Sequence, residues 1–196
     1  MKKENVSETL QSSPVIQRYS GNPVLAKKDI PYPATLVFNA GVTKYQGKYV
    51  MVFRNDVFEK EQVRCRSHTN LGIAYSDDGV AWETAAKPCL DKHFFNDEEI
   101  VRVYDPRLTV IDGKCFLCFA VDTKHGVRGG VAVTEDFESF EVLSMSVPDN
   151  RNMVLFPEKF NNRYLRFERP FPVYSRGGQD RFDIWFSDSP DLMYWG

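Results

Sequence analysis

The sequence predicts an all-β protein, and three observations carry that expectation. Strand-type segments dominate: "KYVMVF", "LGIAYS", "RLTVI", "CFLCFAV", "GVAVT", "RYLRFE" and "FDIWFS" are short, rich in aromatic and β-branched residues, and bounded by Gly, Asn or Asp. Helical periodicity is lacking throughout, and only the polar tail before Pro14 is expected to form a short helix. The third observation is repetition, with one unit of strand, turn and strand recurring along the chain.

The repeats run in order. "FNAGVTKYQGKYVMVFRND" is followed by "NLGIAYSDDGVAWE", a strand, an Asp-rich turn and a Trp. "YDPRLTVIDGKCFLCFAVD" and "GGVAVTEDFESFEV" repeat the pattern, and "MVLFPEKFNNRYLRFERP" and "FDIWFSDSPDLMYWG" repeat it again. The dipeptides Gln46-Gly47, Asp112-Gly113 and Asn161-Asn162 mark the hairpin turns, because such residues accept the positive φ a two-residue hairpin requires. Units of about four strands are the signature of β-propeller blades, and a blade needs neighbours to bury both its faces. Propellers usually have about four to eight blades. The expectation is therefore the front part of a longer propeller: an extension over 1–18, then an incomplete catalytic domain over 19–196 holding blades 1–3, the third lacking its last strand. The inner faces of the first and third blades, which carry strands such as "FDIWFS" and "YVMVF", are expected to be exposed, since they would pack on a neighbouring blade. On that reading the isolated chain would be poorly soluble or self-associated, and inactive.

The bulk properties narrow the classes. A chain of 196 residues fits one sizeable core, and a net charge of -2 gives no reason to expect a nucleic-acid or membrane partner. No apolar run approaches membrane-spanning length. The start "MKKENVSETLQSS" lacks the apolar core of a signal peptide, so a cytoplasmic location is expected. Cys115 and Cys118 form a C-x-x-C, but within a strand, where residues three apart point to opposite faces. Buried thiols are expected there, with no metal site.

The repeat also brings candidate functional residues together. Asn39 and Asp105 each lie eight positions before a turn glycine, and the matching zone of the third repeat begins just after Arg151-Asn152. The first strand of each blade lines a propeller's central channel, so these strand starts converge at one mouth. Asn39, Arg54, Asp56, Asp105, Arg107, Arg151 and Asn152 are the resulting candidates. Asp and Asn are also common turn and cap residues, so each taken singly has a purely structural reading.

The chain resembles glycoside hydrolase family 130, the β-mannoside phosphorylases and mannosidases on a five-bladed propeller. "NPVL" at 22–25, "FNAGV" at 38–42, "VFRND" at 52–56, "YSDDGVAWE" at 75–83, "YDPRLT" at 104–109, "NRNMVLFPEKFNNRYLRFERP" at 150–170 and "FDIWFSDSPDLMYWG" at 182–196 carry the resemblance. "YDPR" together with "NRNxVLFPxK" is specific, whereas "SDDG…W" is shared by many sugar-active propellers. The resemblance implies that Asp105 is the catalytic acid, protonating the glycosidic oxygen through the 3-hydroxyl of the mannose. It implies phosphate binding by Arg151 and Arg169, with Arg66, or else Arg64, as a further contact. It implies sugar contacts from Asn39, Arg54 and Asp56, and places Tyr104, Asn152, Lys159 and Asp183 among the substrate-binding residues. His125 falls near a His-Gly found in relatives, but reads as a turn-tip histidine. Arg107 reads equally as a partner for a buried carboxylate or as a catalytic group. Relatives often associate, so a homo-oligomer is also implied.

The residue types suit the chemistry. An inverting glycosidase needs a second carboxylate to activate water. Phosphate is already an anionic nucleophile, so a phosphorylase needs arginines in place of that base, whose planar forks bind phosphate oxygens bidentately. The expected function is transfer of mannose from a β-mannoside to inorganic phosphate with inversion, giving α-mannose 1-phosphate, with phosphate as co-substrate and no cofactor. The alternatives are a β-mannosidase using water and a non-catalytic propeller fragment.

Overall fold

Each expected turn dipeptide joins two antiparallel strands. Gln46 and Gly47 have φ of 49° and 84°, Asp112 and Gly113 51° and 77°, and Asn161 and Asn162 48° and 61°. Positive φ at both central residues is what matches a two-residue hairpin to the twist of its strands.

The computed structural model describes residues 13–58, 66–172 and 182–196. The first sheet contains β1 (Leu36–Tyr45), β2 (Lys48–Phe58), β3 (Arg66–Ser76) and β4 (Glu83–Thr84) in that order. The second contains β5 (Ile100–Ile111), β6 (Lys114–Thr123), β7 (Gly126–Thr134) and β8 (Glu141–Met145). The third pairs β9 (Asn150–Leu155), β10 (Tyr164–Pro170) and β11 (Trp185–Ser189), with β10 in the middle. All pairings are antiparallel. Two 3-10 turns, Lys27–Asp29 and Lys92–Phe95, are the helical elements of the described residues. The helix expected before Pro14 lies outside them.

Period-two alternation explains the stacking. On β6, Cys115, Leu117, Phe119 and Val121 face the first sheet, meeting Val50, Val52, Leu71 and Ile73. Phe116 and Cys118 face the other way, meeting Met153, Leu155 and Leu192 beside the third sheet. The middle sheet is thus buried on both faces, and full burial of each such side chain contributes about 1.5–3 kcal/mol. The C-x-x-C divides as its spacing requires, one thiol to each core, and burial pushes both thiols up to about 12.

The "YVMVF" strand, β2, is not exposed as expected. Met51 and Phe53 are buried by Val24, Leu25, Ile30, Tyr32 and Ala34, from the irregular segment preceding β1. That segment therefore belongs to the packed unit. The third sheet does present apolar groups: Phe167, Ile184, Trp185 and Phe186 are all at least 41% exposed.

An aspartate turn follows the third strand of every sheet. Asp78 accepts from the N–H groups of Val80 and Ala81, Asp136 from those of Ser139 and Glu138, and Asp191 from those of Tyr194 and Met193. In two of these turns a Trp closes the loop, Trp82 donating to the Gly79 carbonyl and Trp195 to that of Leu192. The main-chain donors hold all three carboxyls below the ordinary 3.8. A depressed folded-state pKa gives stabilisation that is complete above about pH 5 and is lost as pH falls below about 4 through the folded values. Urea denaturation at about pH 6 and about pH 3 should show a clearly lower midpoint at the acid end. Equal midpoints would count against these turns as stabilising elements.

Candidate active site

The same irregularity interrupts the first strand of each sheet. Between Phe38 and Gly41 of β1, between Tyr104 and Arg107 of β5, and between Arg151 and Val154 of β9, the strand carries one residue more than its partner. Asn39, Asp105 and Asn152 each follow directly, with φ of 49°, 53° and 61°. A bulge re-aims a side chain out of the strand's alternation, and Asn and Asp tolerate positive φ better than other side chains. A carboxylate stands near the start of this strand because the backbone conformation there suits Asp or Asn, and its side chain is turned toward the first sheet.

Asp105 meets the first sheet. Its Oδ1 accepts from Asn39 Nδ2 at 2.8 Å and from Arg54 Nη1 at 3.2 Å. Asn39 reaches it because Gly41 lets β1 lie directly against β5: a Cβ on Gly41 would stand 2.8 Å from Arg107 Cα and Leu108 N. Gly41→Ala must push these backbones apart, and overpacking of this kind costs about 1–3 kcal/mol. A fall in the denaturant midpoint would register it, and an unchanged midpoint would show that the two sheets are not in such close register.

Arg54 is fixed on all sides. Its Nε and Nη2 donate to the two oxygens of Asp56 at 2.9 and 3.0 Å, and Thr69 Oγ1 donates to Asp56 Oδ1 at 2.8 Å. The guanidinium lies between the rings of Phe38 and Tyr104, 4.7 and 4.9 Å from their centroids. Burial works to lower its pKa, but its bonds to Asp56 and Asp105 outweigh that and raise it.

The third sheet brings two arginines together. Arg151 and Arg169 face each other across the β9–β10 pair. The Nε atoms of both are buried, with no hydrogen-bond partner among the described residues. Their guanidinium groups sit over aromatic rings, Arg151 over Phe171 and Arg169 over Phe182. The neighbouring acid, Glu168, is engaged elsewhere: it accepts from Arg166 Nη2 at 2.7 Å and from Asn150 at 3.1 Å. Arg151 also lies against the Tyr104 hydroxyl, which joins this pair to the Asp105 cluster. Buried donors without acceptors are costly unless an anion supplies them.

Several expected contacts fall elsewhere. Asp56 and Tyr104 are each 1% exposed, so neither has surface to offer a sugar; both support Arg54. Lys159 pairs with Asp112 at 2.8 Å, at the β5–β6 turn, roughly 20 Å along the strand from Asp105. It therefore does not join the mouth. Arg107 donates to the carbonyls of Asn39 and Pro106, not to a carboxylate. Asn152 occupies the bulge equivalent to Asp105, with its Oδ1 buried and without a partner among the described residues. Asp183 is exposed beside Phe182. His125 is an exposed turn residue contacting Glu99 at 3.2 Å. Arg66 opens β3, opposite Phe58; its side chain, like all of Arg64, lies outside the described residues. Asp122 was missed, although "FAVD" places it where "FRND" places Asp56.

Comparison with known proteins identifies the family. The chain matches the family model described as beta-1,4-mannooligosaccharide phosphorylase over residues 8–196, and so belongs to glycoside hydrolase family 130. It is 34% identical to a beta-1,4-mannooligosaccharide phosphorylase of Ruminococcus albus, over 93% of this chain and 53% of that protein. It is 26% identical to a beta-1,2-mannobiose phosphorylase of Listeria innocua, over 92% of this chain and 64% of that one. A solved structure of the beta-1,2-mannobiose phosphorylase from Listeria innocua, in complex with beta-1,2-mannobiose, matches with a TM-score of 0.74 at 24% identity. That match covers 91% of this chain and 64% of the other. The chain thus spans between about half and two thirds of the length of these relatives.

Proposed function

We propose that the protein acts as a β-mannoside phosphorylase, transferring mannose to inorganic phosphate with inversion to give α-mannose 1-phosphate. In this reading the three sheets are consecutive blades of a five-bladed propeller, and the bulged strand starts line one mouth of its channel. The observation that carries the reading is the Arg151–Arg169 pair, with two buried Nε–H donors that no group among the described residues accepts from. A hydrolase needs a carboxylate base at the corresponding place to activate water. Glu168, the acid next to Arg169 in sequence, is bound to Arg166.

The proposed roles are supported by the geometry. Both donors to Asp105 converge on Oδ1, so Oδ2 is the oxygen that carries the proton delivered toward the leaving group through the substrate hydroxyl. Asn39 and Arg54 hold the carboxyl in place, and Asp56 holds Arg54. Arg151 and Arg169 hold phosphate on the opposite face of the sugar for in-line attack. Positioning of this kind is what converts a bimolecular displacement into an effectively unimolecular one. Phosphate is the co-substrate, the carbohydrate partner is a β-linked mannoside, and the mechanism requires no metal or organic cofactor. Buried thiols fit a reducing, cytoplasmic setting.

Incubation with a β-mannobiose and phosphate, followed by NMR of the first product formed, tests the stereochemistry. α-Mannose 1-phosphate is expected. The leaving unit appears as one equivalent of free mannose; free mannose without mannose 1-phosphate, or the β-phosphate as first product, would contradict the proposal.

A further inference from the structure

Asp122 and Arg102 play no part in the reading above, yet they meet the site through Tyr104. The Tyr104 hydroxyl donates to Asp122 Oδ1 at 2.6 Å. Arg102 Nε donates to Asp122 Oδ2 at 2.5 Å, and its guanidinium lies 4.8 Å from the centroid of the same tyrosine ring. The ring also carries Arg54 at 4.9 Å, and Arg54 is the residue that donates to Asp105. The hydroxyl end lies against Arg151. Tyr104 is therefore in contact with both halves of the site: its face with the arginine that holds the acid, its hydroxyl with an arginine of the anion pair.

The sheet register makes the comparison with the first blade direct. Arg54 of β2 stands opposite Phe38, and Ala120 of β6 stands opposite Tyr104. Asp56 and Asp122 are each two residues further along. Asp56 grips Arg54; the equivalent Asp122 has Ala120 where an arginine would be, and grips Tyr104 and Arg102 instead. The small Ala120 side chain leaves the position to the tyrosine. Burial is the largest cause pushing the Tyr104 hydroxyl up to about 12, with Asp122 adding to it and Arg151 opposing it.

We propose that Asp122 is a positioning residue for the reaction: through the Tyr104 hydroxyl and Arg102 it fixes the aromatic platform that sets Arg54 on Asp105 and Arg151 on the nucleophile. Tyr104 and Asp122 then act as one unit, coupling the acid to the phosphate site. The inference rests on the phosphorylase reading.

The test is a double-mutant cycle of Asp122→Asn and Tyr104→Phe, with turnover measured against phosphate and binding of a mannoside measured separately. Loss of a charge-assisted hydrogen bond weakens an interaction by roughly 10- to 100-fold. Each single variant should lower kcat/KM for phosphate by about that factor, while mannoside affinity changes less than about twofold. Because the two residues act in series, the double variant should be no worse than the poorer single variant. Multiplying losses, or a parallel loss of mannoside binding, would mean that Asp122 merely stabilises the fold, and would overturn the inference. Activity of either variant within about twofold of the unmutated protein would overturn it as well. Should Asp122→Asn fail to fold, Tyr104→Phe alone decides, since Phe keeps the buried ring and removes only the hydroxyl. Failure of the phosphorylase reading itself would show separately, as phosphate-independent sugar release by the unmutated protein.

Discussion

Replacing Asp105 by Asn is expected to lower phosphorolysis by about 10²- to 10⁴-fold, the usual contribution of a general acid. Asn is nearly isosteric and can still accept from Asn39 and Arg54 through its carbonyl oxygen. It also tolerates the positive φ of 53° at this position. The fold should therefore survive, and the loss should fall on kcat. A substrate with a good leaving group needs less protonation, so an activated aryl mannoside should lose much less than a mannobiose. Near-normal turnover of mannobiose by Asp105→Asn would remove this residue from the acid role.

The second large effect is expected at the arginine pair. Arg151→Met and Arg169→Met keep the apolar stems and remove the guanidinium groups. Each should raise the KM for phosphate by roughly 10- to 100-fold, by loss of charge-assisted hydrogen bonds to the nucleophile. Stability should move the other way or not at all. Among the described residues neither Nε has an acceptor, so the substitution removes a buried N–H that none of them accepts from. Higher phosphate KM with an unchanged or raised melting temperature is the pattern of a group kept for function. A large drop in melting temperature with unchanged phosphate KM would make the pair structural.

Much of this architecture was legible in the sequence, and the limits have physical causes. The turn dipeptides could be read because two adjacent positive φ angles restrict the residue choice sharply. Asn39 and Asp105 could be aligned because both count back to a turn glycine. Asn152 was placed only approximately, because the third hairpin closes through Asn161-Asn162 with a different spacing. Burial depth was not legible. Asp56 and Tyr104 look like sugar contacts in "FRND" and "YDPR", yet both are sealed beneath Arg54 by packing between sheets far apart in sequence. Lys159 was misplaced for a similar reason: its motif neighbours point to the mouth, but the strand carries it to the opposite end. The β2 strand looked open because the segment at 22–34 has no regular pattern to announce that it packs there. Asp122 escaped notice because it follows Ala120, so the arginine that marks "FRND" was missing.

The central claim is that the nucleophile accepted by Arg151 and Arg169 is phosphate. The most direct measurement is the rate of sugar release from a β-mannobiose as inorganic phosphate is titrated from zero. The account predicts no significant release without phosphate, a saturable rise on adding it, and one mannose 1-phosphate formed for each bond cleaved. Release at full rate without phosphate, with free mannose as the product, would contradict it.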